Sequence, residues 1–274
     1  QFTTIDPTDE QARAIAAVKK WLKAAREGRD GKLFVLGGLA GVGKTAVTGV
    51  LARDLVRDLR VAFAAPTGMA AGVLARSLAA RGVFPDSCGT LHRLLYRPLY
   101  DESTGRLLGW ERKKALDFDL LVVDEASMVS ASLLEDLVSY NIPMLAVGDH
   151  GQLPPVGEEI KLMANPNVRL EQVHRQALEN PIVALSVAVR AGGDWRAIIR
   201  ASTDPRLQYL DAFDSAALVM DRFRGFRDRP LDEDPLVICG TNKARVMLNA
   251  ASRTGLGPEL VPGDRVTVLR DGRH

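Results

Sequence analysis

The chain has 274 residues, of which 46% are hydrophobic and 26% are charged, and its net charge is +2 at pH 7. This length is sufficient for one large or two ordinary domains with a buried core. No apolar run approaches the roughly 20 residues that a membrane-spanning helix needs, and the polar N-terminus is unlike a signal peptide, so we expect no membrane association. Cys88 and Cys239 form no metal or redox motif, and we expect buried thiols in a reducing cytoplasm.

Apolar runs alternate with helical patterns through the first half of the chain. Near-continuously apolar runs predict strands that are buried on both faces. These runs are Lys32–Gly37, Val61–Ala65, Leu120–Asp124 and Met144–Asp149. The spacing of Lys44–Leu59 and Ser130–Tyr140 predicts helices between them. The fold class is therefore predicted to be α/β, with a parallel sheet covered by helices on both faces.

Two stretches depart from this alternation. Residues 97–114, "RPLYDESTGRLLGWERKK", place a turn-like "DESTG" between two short arms, which predicts a small β-hairpin insertion. After about residue 176 helical segments come first, followed by a strand and a helix over Leu236–Ser252. We therefore expect one α/β domain over 1–175 and a second one, present in part, over 176–274.

The stretch "GLAGVGKT" fits the pattern G-x-x-x-x-G-K-[ST] and lies between a predicted strand and a predicted helix. That is the context of a phosphate-binding loop, in which backbone N–H groups and the helix N-terminus bind phosphates. Lys44 is expected to reach the β- and γ-phosphates, and Thr45 is expected to bind Mg²⁺. The candidate nucleotide-binding residues of the loop are Gly38, Leu39, Ala40, Gly41, Val42, Gly43, Lys44, Thr45 and Ala46.

A second motif, "LLVVDEAS", supplies acidic residues at the end of an apolar strand. Asp124 can hold Mg²⁺ there, and Glu125 can polarise the attacking water. An exposed acidic turn is the alternative, and the phosphate-binding loop upstream favours the site. The residues themselves therefore predict ATP hydrolysis with Mg²⁺.

The loop "VGDHGQLPPVG" places Gln152 behind another apolar strand, with Pro154 and Pro155 just beyond it. If this strand lies beside the strand of Asp124, Gln152 emerges next to the Mg²⁺ site. An amide can accept and donate, so it can contact a γ-phosphate or the attacking water. The alternative is a rigid surface turn.

Near the N-terminus, "TDEQ" has the pattern of a helix capping box, with Thr8 at the cap and Gln11 three positions on. Capping accounts for this pattern by itself. Recognition of adenine by the Gln11 amide is the other interpretation, and the local pattern does not separate the two.

Together these stretches resemble superfamily 1 helicases of the 5′-to-3′ branch, which includes RecD and the phage Dda helicase. The matching stretches follow the family order from residue 8 to about 249. They are "TDEQARAI", "GGLAGVGKT", "AAPTGMAA", "GTLHRLL", "VVDEASMVS", "GDHGQLPPVG", "LEQVHRQ" and "CGTNKARVMLN". The resemblance implies two RecA-like domains, with ATP between them and single-stranded DNA across both.

The resemblance also implies roles for individual residues. It favours adenine recognition by Gln11 and a γ-phosphate-facing role for Arg175. It places Pro66, Thr67, Thr90 and His92 of the first domain, and Thr241 and Asn242 of the second, on the DNA side. Helix capping by the two threonines and packing of His92 remain the local alternatives.

In these helicases a small insertion separates the strands of the duplex, so the predicted hairpin would meet duplex junctions. Tyr100 and Trp110 could offer aromatic faces to bases, or they could anchor the hairpin to the domain. Two later family motifs, an H-x-SQG-like stretch and an arginine-bearing one, do not occur in the 274 residues. We therefore expect a second arginine and much of the second DNA surface to lie outside this chain.

The leading hypothesis is an ATP-dependent helicase or translocase on single-stranded DNA, with its 5′-to-3′ direction taken from the resemblance and a role in DNA repair or recombination. A nucleotide-dependent DNA-binding or assembly module without unwinding activity is the main alternative. Another P-loop ATPase, such as an AAA-type machine, is less favoured, because it does not explain the "GTLHRLL" and "GDHGQLPP" stretches. No sequence feature identifies a protein partner.

Overall fold

A computed structural model of the chain describes residues 6–152, 162–172, 179–204, 241, 243, 244, 246 and 247. Contacts group Gln1–Ile198 into one compact unit and Ile199–His274 into another. The domain boundary at 175/176 stays a prediction.

Eight strands, seven α-helices and one 3-10 helix (Ala126–Met128) form within the described residues. The strands are β1 (Leu33–Gly38), β2 (Val61–Ala65), β3 (Ser87–Thr90), β4 (Tyr96–Tyr100), β5 (Leu107–Arg112), β6 (Leu120–Val123), β7 (Met144–Gly148) and β8 (Val168–Leu170). The helices are α1 (Asp9–Arg26), α2 (Lys44–Leu55), α3 (Gly68–Ala79), α4 (Leu91–Leu95), α5 (Ala131–Ser139), α6 (Pro181–Arg190) and α7 (Trp195–Ala201). The four predicted strands are present within one residue at each end, whereas α2 ends at Leu55, before the predicted end at Leu59.

Six parallel strands form one sheet in the order β3-β2-β6-β7-β1-β8. Side chains of β1 alternate between its faces: Phe34 and Leu36 pack in a core that includes α1, α2 and α3 residues, and Val35 packs in a core that includes α4 and α5 residues. The predicted α/β class, with helices on both faces of a parallel sheet, is therefore confirmed. Because the strands are parallel, the segments after β1, β2, β6 and β7 all emerge at one edge.

The predicted hairpin is formed by the antiparallel pair β4 and β5. Polar contacts fix its base to α5. The Tyr96 hydroxyl donates to the Asp136 carboxylate, Arg112 Nη1 donates to Ser139 Oγ at 2.5 Å, and Tyr140 Oη donates to the Lys113 carbonyl at 2.6 Å. Since α5 follows the segment after β6, the hairpin is attached to the part of the fold that carries Asp124.

Replacing Arg112 by glutamine is expected to lower the free energy of unfolding by about 1 kcal/mol, the usual value of one hydrogen bond. The substitution removes the hydrogen bond to Ser139, the cation 5.4 Å from the Tyr140 ring centre, and an exposed 3.4 Å ion pair with Asp136 that contributes little. Arg106→Gln, on the exposed side of the same hairpin, is the control. Equal urea midpoints for the two variants would contradict the anchoring role.

Candidate functional site

The phosphate-binding loop connects β1 to α2 and closes around Lys44. Gly41 and Gly43 have φ angles of 82° and 85°, a left-handed conformation that favours glycine. Lys44 begins α2, and its Nζ donates to the carbonyl oxygens of Gly38 at 2.7 Å and Leu39 at 3.0 Å. The Ala46 N–H donates to the Gly43 carbonyl at 2.9 Å, whereas the first two amides of an α-helix have no acceptor within it and can face an anion at this end.

Three carboxylates from two other strand ends act electrostatically on the ammonium of Lys44. Burial lowers the pKa of Lys44, while Asp149, Glu125 and Asp124 each act to raise it. Asp124 and Glu125 follow β6, and Asp149 follows β7. The fold therefore brings the phosphate-binding loop, the segment of Asp124 and Glu125, and the loop of Asp149 to one edge of the sheet, as the sequence predicted.

Asp124 and Glu125 differ in backbone conformation and in surroundings. Burial raises the pKa of the Asp124 carboxyl, and burial together with the neighbouring Asp124 raises the pKa of Glu125. Glu125 has a φ of 52°, in the left-handed backbone region that residues other than glycine rarely occupy. Such strain is typical of functional sites, and here it sets Glu125 apart from the strand that presents Asp124.

The oxygen atoms of Thr45 and Asp124 fit Mg²⁺, which binds one or two carboxylates and completes its shell with phosphate and water oxygens. Thr45 is exposed in the first turn of α2, beside the lysine whose pKa responds to Asp124. Within the described part of the chain no group of three or more His, Cys, Asp or Glu residues could hold a metal ion. One hydroxyl and one carboxylate suit an ion that takes its remaining ligands from a bound phosphate and from water.

Gln152 lies directly beside the segment that follows β6. Ser127 Oγ donates to Gln152 Oε1 at 2.9 Å, and Ser127 is almost fully buried. A Cβ atom at Gly148 would lie 3.1 Å from the backbone N of Ser127, so this glycine allows the two segments to approach closely. The predicted proximity of Gln152 to the Asp124 segment is therefore observed, and sequence reasoning missed Ser127 as its partner.

Gln11 is 2% exposed and has contacts on both sides of its amide. The capping box with Thr8 is present, since Gln11 Oε1 accepts from the Thr8 N–H and Thr8 Oγ1 accepts from the Gln11 N–H. Gln11 Nε2 also donates to the Val42 carbonyl of the phosphate-binding loop at 3.1 Å. The amide thus joins α1 to that loop, and adenine recognition stays a prediction.

A second link starts from α1 and was not predicted. The Glu10 carboxylate accepts hydrogen bonds from the backbone N–H groups of Glu171 at 3.0 Å and Gln172 at 3.2 Å. These residues immediately precede the segment of Arg175. Arg175 and Asn242 themselves lie outside the described residues, as do Pro154 and Pro155.

The residues assigned to the DNA side of the first domain lie at the ends of β2 and β3. Thr67 Oγ1 accepts from the Ala70 N–H at 3.2 Å, and Thr90 Oγ1 accepts from the Arg93 N–H at 3.3 Å, so both threonines cap helices. Pro66 precedes Thr67 at the same sheet edge. DNA contact by these residues stays a prediction.

His92 packs against aromatic rings of the hairpin. Its ring centre lies 4.7 Å from that of Tyr96 and 5.5 Å from that of Trp110. Trp110 is 42% exposed and Tyr100 is 39% exposed, so part of each residue faces solvent while the hairpin is anchored. In the second unit, Thr241 Oγ1 accepts from the Ala244 N–H at 3.1 Å.

Residues 8–211 match the AAA_30 family, which is described as an AAA domain. The chain belongs to this family. The AAA_30 match covers the phosphate-binding loop, Asp124, Glu125, the loop of Gln152 and Arg175. Within the part of the chain that the structure describes, no helix is both long and apolar enough to cross a bilayer.

Relatives of this AAA_30 chain include RecD proteins. It is 37% identical over 162 residues to the ATP-dependent RecD2 DNA helicase of Deinococcus radiodurans, a match to 56% of the chain and 21% of that protein. It is 31% identical over 209 residues to the RecBCD enzyme subunit RecD of Mycobacterium tuberculosis, a match to 66% of the chain and 36% of that protein. The chain therefore spans about a fifth to a third of these relatives, and its RecD-like character is confirmed.

Solved structures with the same fold include the Pif1 helicase of Candida albicans, at 19% identity and a TM-score of 0.52. That match covers 94% of the chain and 56% of the Pif1 chain. A structure of two coordinating Pif1 helicases at forked duplex DNA has 18% identity and a TM-score of 0.51, and the match covers 91% of the chain and 58% of that chain. The predicted RecA-like fold is confirmed.

Proposed function

We propose that the chain is the ATP-hydrolysing part of a DNA helicase or translocase that moves 5′ to 3′ on single-stranded DNA in the cytoplasm. The observation that carries the proposal is the convergence of Lys44, Asp124 and Glu125 at one sheet edge. One relative is an ATP-dependent DNA helicase, which supports ATP hydrolysis coupled to DNA unwinding as the reaction. The description as an AAA domain does not favour another P-loop machine, since these relatives are RecD proteins.

In this proposal the loop amides and Lys44 bind the phosphates of ATP. Thr45 and Asp124 hold Mg²⁺, which neutralises the phosphate charge when bound. Glu125 orients the attacking water and accepts its proton, and its raised pKa makes it a stronger base than an ordinary carboxylate. Arg175 stabilises the charge that develops on the transferred phosphoryl group.

The DNA strand lies across Pro66, Thr67, Thr90 and His92 in this proposal, with Thr241 and Asn242 contacting it from the second domain. Hydroxyl groups and helix N-termini bind phosphates without reading bases, as a motor that ignores sequence requires. Gln152 contacts the γ-phosphate and so responds to its presence. Each cycle of ATP hydrolysis then changes which DNA phosphates the two domains bind. The hairpin acts at the duplex junction.

Replacing Gln11 by alanine separates its two interpretations. Loss of the Val42 contact alone is expected to weaken ATP and GTP binding by the same factor, because the loop contacts only phosphates. If Gln11 reads adenine, as we propose, the affinity for ATP should fall about tenfold more than that for GTP, the effect of one lost hydrogen bond. Calorimetric titration of both nucleotides measures this ratio, and an unchanged ratio would leave capping and the Val42 contact as the roles of Gln11.

Replacing Gln152 by alanine is expected to leave ATP binding largely intact while removing the stimulation of hydrolysis by DNA. The amide lies beside the water and the γ-phosphate in this proposal, so it acts on turnover and not on affinity. Ser127→Ala should reproduce part of the defect, because Ser127 holds the Gln152 amide. The exposed Ser132→Ala is the control. Wild-type stimulation in Gln152→Ala would refute the sensor role.

Strand displacement on tailed duplexes tests the proposed function as a whole. A 5′-tailed duplex should be separated when ATP and Mg²⁺ are present, and a 3′-tailed duplex should not. An assembly module, the main alternative, would bind single-stranded DNA in a nucleotide-dependent way and separate neither duplex. Equal separation of both substrates would contradict the proposed direction.

A further inference from the structure

An ion pair between a buried carboxylate and a partly exposed guanidinium connects the loop after β7 to α6. Asp149 is 1% exposed, and its Oδ2 accepts a 2.7 Å hydrogen bond from Nη2 of Arg190, the last residue of α6. The other oxygen, Oδ1, accepts from the backbone N–H of Gly151 at 2.8 Å. One carboxylate therefore fixes both its own turn and a helix that lies 41 residues away in the chain.

The same turn carries Gln152. The Gln152 backbone N–H donates to the Asp149 carbonyl at 3.2 Å, and its side chain accepts from Ser127. The position of the Gln152 amide therefore depends on the turn that the Asp149 carboxylate stabilises. Two side-chain contacts hold this turn: Ser127 donates to the Gln152 side chain, and Arg190 donates to the Asp149 carboxylate.

Arg190 also borders the phosphate-binding loop. A Cβ atom on Gly151 would lie 3.1 Å from Arg190 Nε and 3.3 Å from Leu39 Cδ2, so both side chains pack on this glycine. Burial and the Arg190 charge lower the pKa of Lys44, whereas the Asp149 charge raises it. Both members of the ion pair are therefore within electrostatic range of the phosphate-binding lysine.

We infer that Arg190 is a positioning residue that holds Gln152 beside the nucleotide site by pairing with Asp149. A buried carboxylate that loses its cation is strongly destabilising, so without Arg190 the turn must rearrange to hydrate Asp149. The ion pair therefore connects the loop of Gln152 to α6, which follows the segment of Arg175 in the chain. The consequence for catalysis rests on the proposed function, whereas the consequence for the turn does not.

Hydrogen exchange, followed by mass spectrometry, tests the positioning directly. Arg190→Gln is expected to speed amide exchange in a peptide covering residues 148–152 by about tenfold or more, because the turn opens locally. Arg196→Gln, an exposed arginine that lies on the Trp195 ring, is the matched control and should leave this peptide unchanged. Exchange at the wild-type rate in Arg190→Gln would overturn the inference, as would an equal increase across the whole of residues 6–152, which reports general destabilisation.

Steady-state kinetics and a rescue variant give the second readout. Arg190→Gln should lower kcat for ATP hydrolysis about 10- to 100-fold with little change in KM, the effect of a misplaced catalytic group. Adding Asp149→Asn removes the unpaired charge and keeps an oxygen for the Gly151 N–H, so it should restore slow exchange and part of kcat. No rescue of either readout by this second change would contradict the ion-pair mechanism. If the wild-type chain hydrolyses no ATP, the proposed function fails while the exchange experiment still decides the positioning.

Discussion

Glu125→Gln is expected to lower kcat for ATP hydrolysis by about 10²- to 10⁴-fold, the usual contribution of a general base. Glutamine preserves the shape of the side chain and its hydrogen-bonding oxygen, but it cannot accept the proton of the attacking water. ATP affinity should stay within a few-fold of wild type, because the loop amides and Lys44 still bind the phosphates. Single-turnover hydrolysis and fluorescent-nucleotide binding measure the two quantities separately.

The control for this variant is Glu135→Gln, which removes an exposed carboxylate from α5. It should retain wild-type turnover. If Glu125→Gln hydrolysed ATP at the rate of Glu135→Gln, Glu125 would not be the base, and the left-handed conformation at φ 52° would need another explanation.

Lys44→Ala is expected to weaken ATP binding about 10- to 100-fold, which corresponds to a lost hydrogen bond to a charged group. The variant should also lower kcat about 10²-fold or more, because the cation that stabilises the transferred phosphoryl group is absent. The loss should exceed that of an ordinary lysine contact, since the phosphates then face Asp124, Glu125 and Asp149 without the ammonium that lies among them.

Lys19→Ala is the matched control, since Lys19 pairs with Asp54 on the exposed side of α1. An exposed pair of this kind contributes little, so binding and turnover should stay at wild-type values. Wild-type ATP affinity in Lys44→Ala would refute the assignment of this loop as the nucleotide site. Thermal unfolding of both variants checks that the fold is retained.

Much of the fold followed from local patterns. The apolar runs identified β1, β2, β6 and β7, because strands buried on both faces have no polar side to interrupt them. The phosphate-binding loop could be placed from its glycines and from the elements on either side. The position of Gln152 beside the Asp124 segment followed from the neighbouring strand order, which the structure has as β6 beside β7. The three residues of β8 were too few to produce a periodic pattern.

The contacts that hold the site in place could not be predicted in this way. Ser127 and Gln152 are 25 residues apart, and Asp149 and Arg190 are 41 residues apart, so no local pattern connects them. Glu10 reaches backbone groups more than 160 residues away. One signal was available: Asp149 directly follows a fully apolar run, a position that favours burial, and a buried carboxylate needs a cation or other partner. The identity of that cation depends on the path of the chain after β8.

The most direct test of a DNA-driven ATPase is the rate of ATP hydrolysis by the wild-type chain with and without single-stranded DNA. Glu125→Gln measured in parallel defines the background. The proposed function predicts hydrolysis well above this background that rises when an oligonucleotide is added and falls again as salt weakens phosphate contacts. A wild-type rate equal to that of Glu125→Gln, or a rate that DNA does not change, would contradict it.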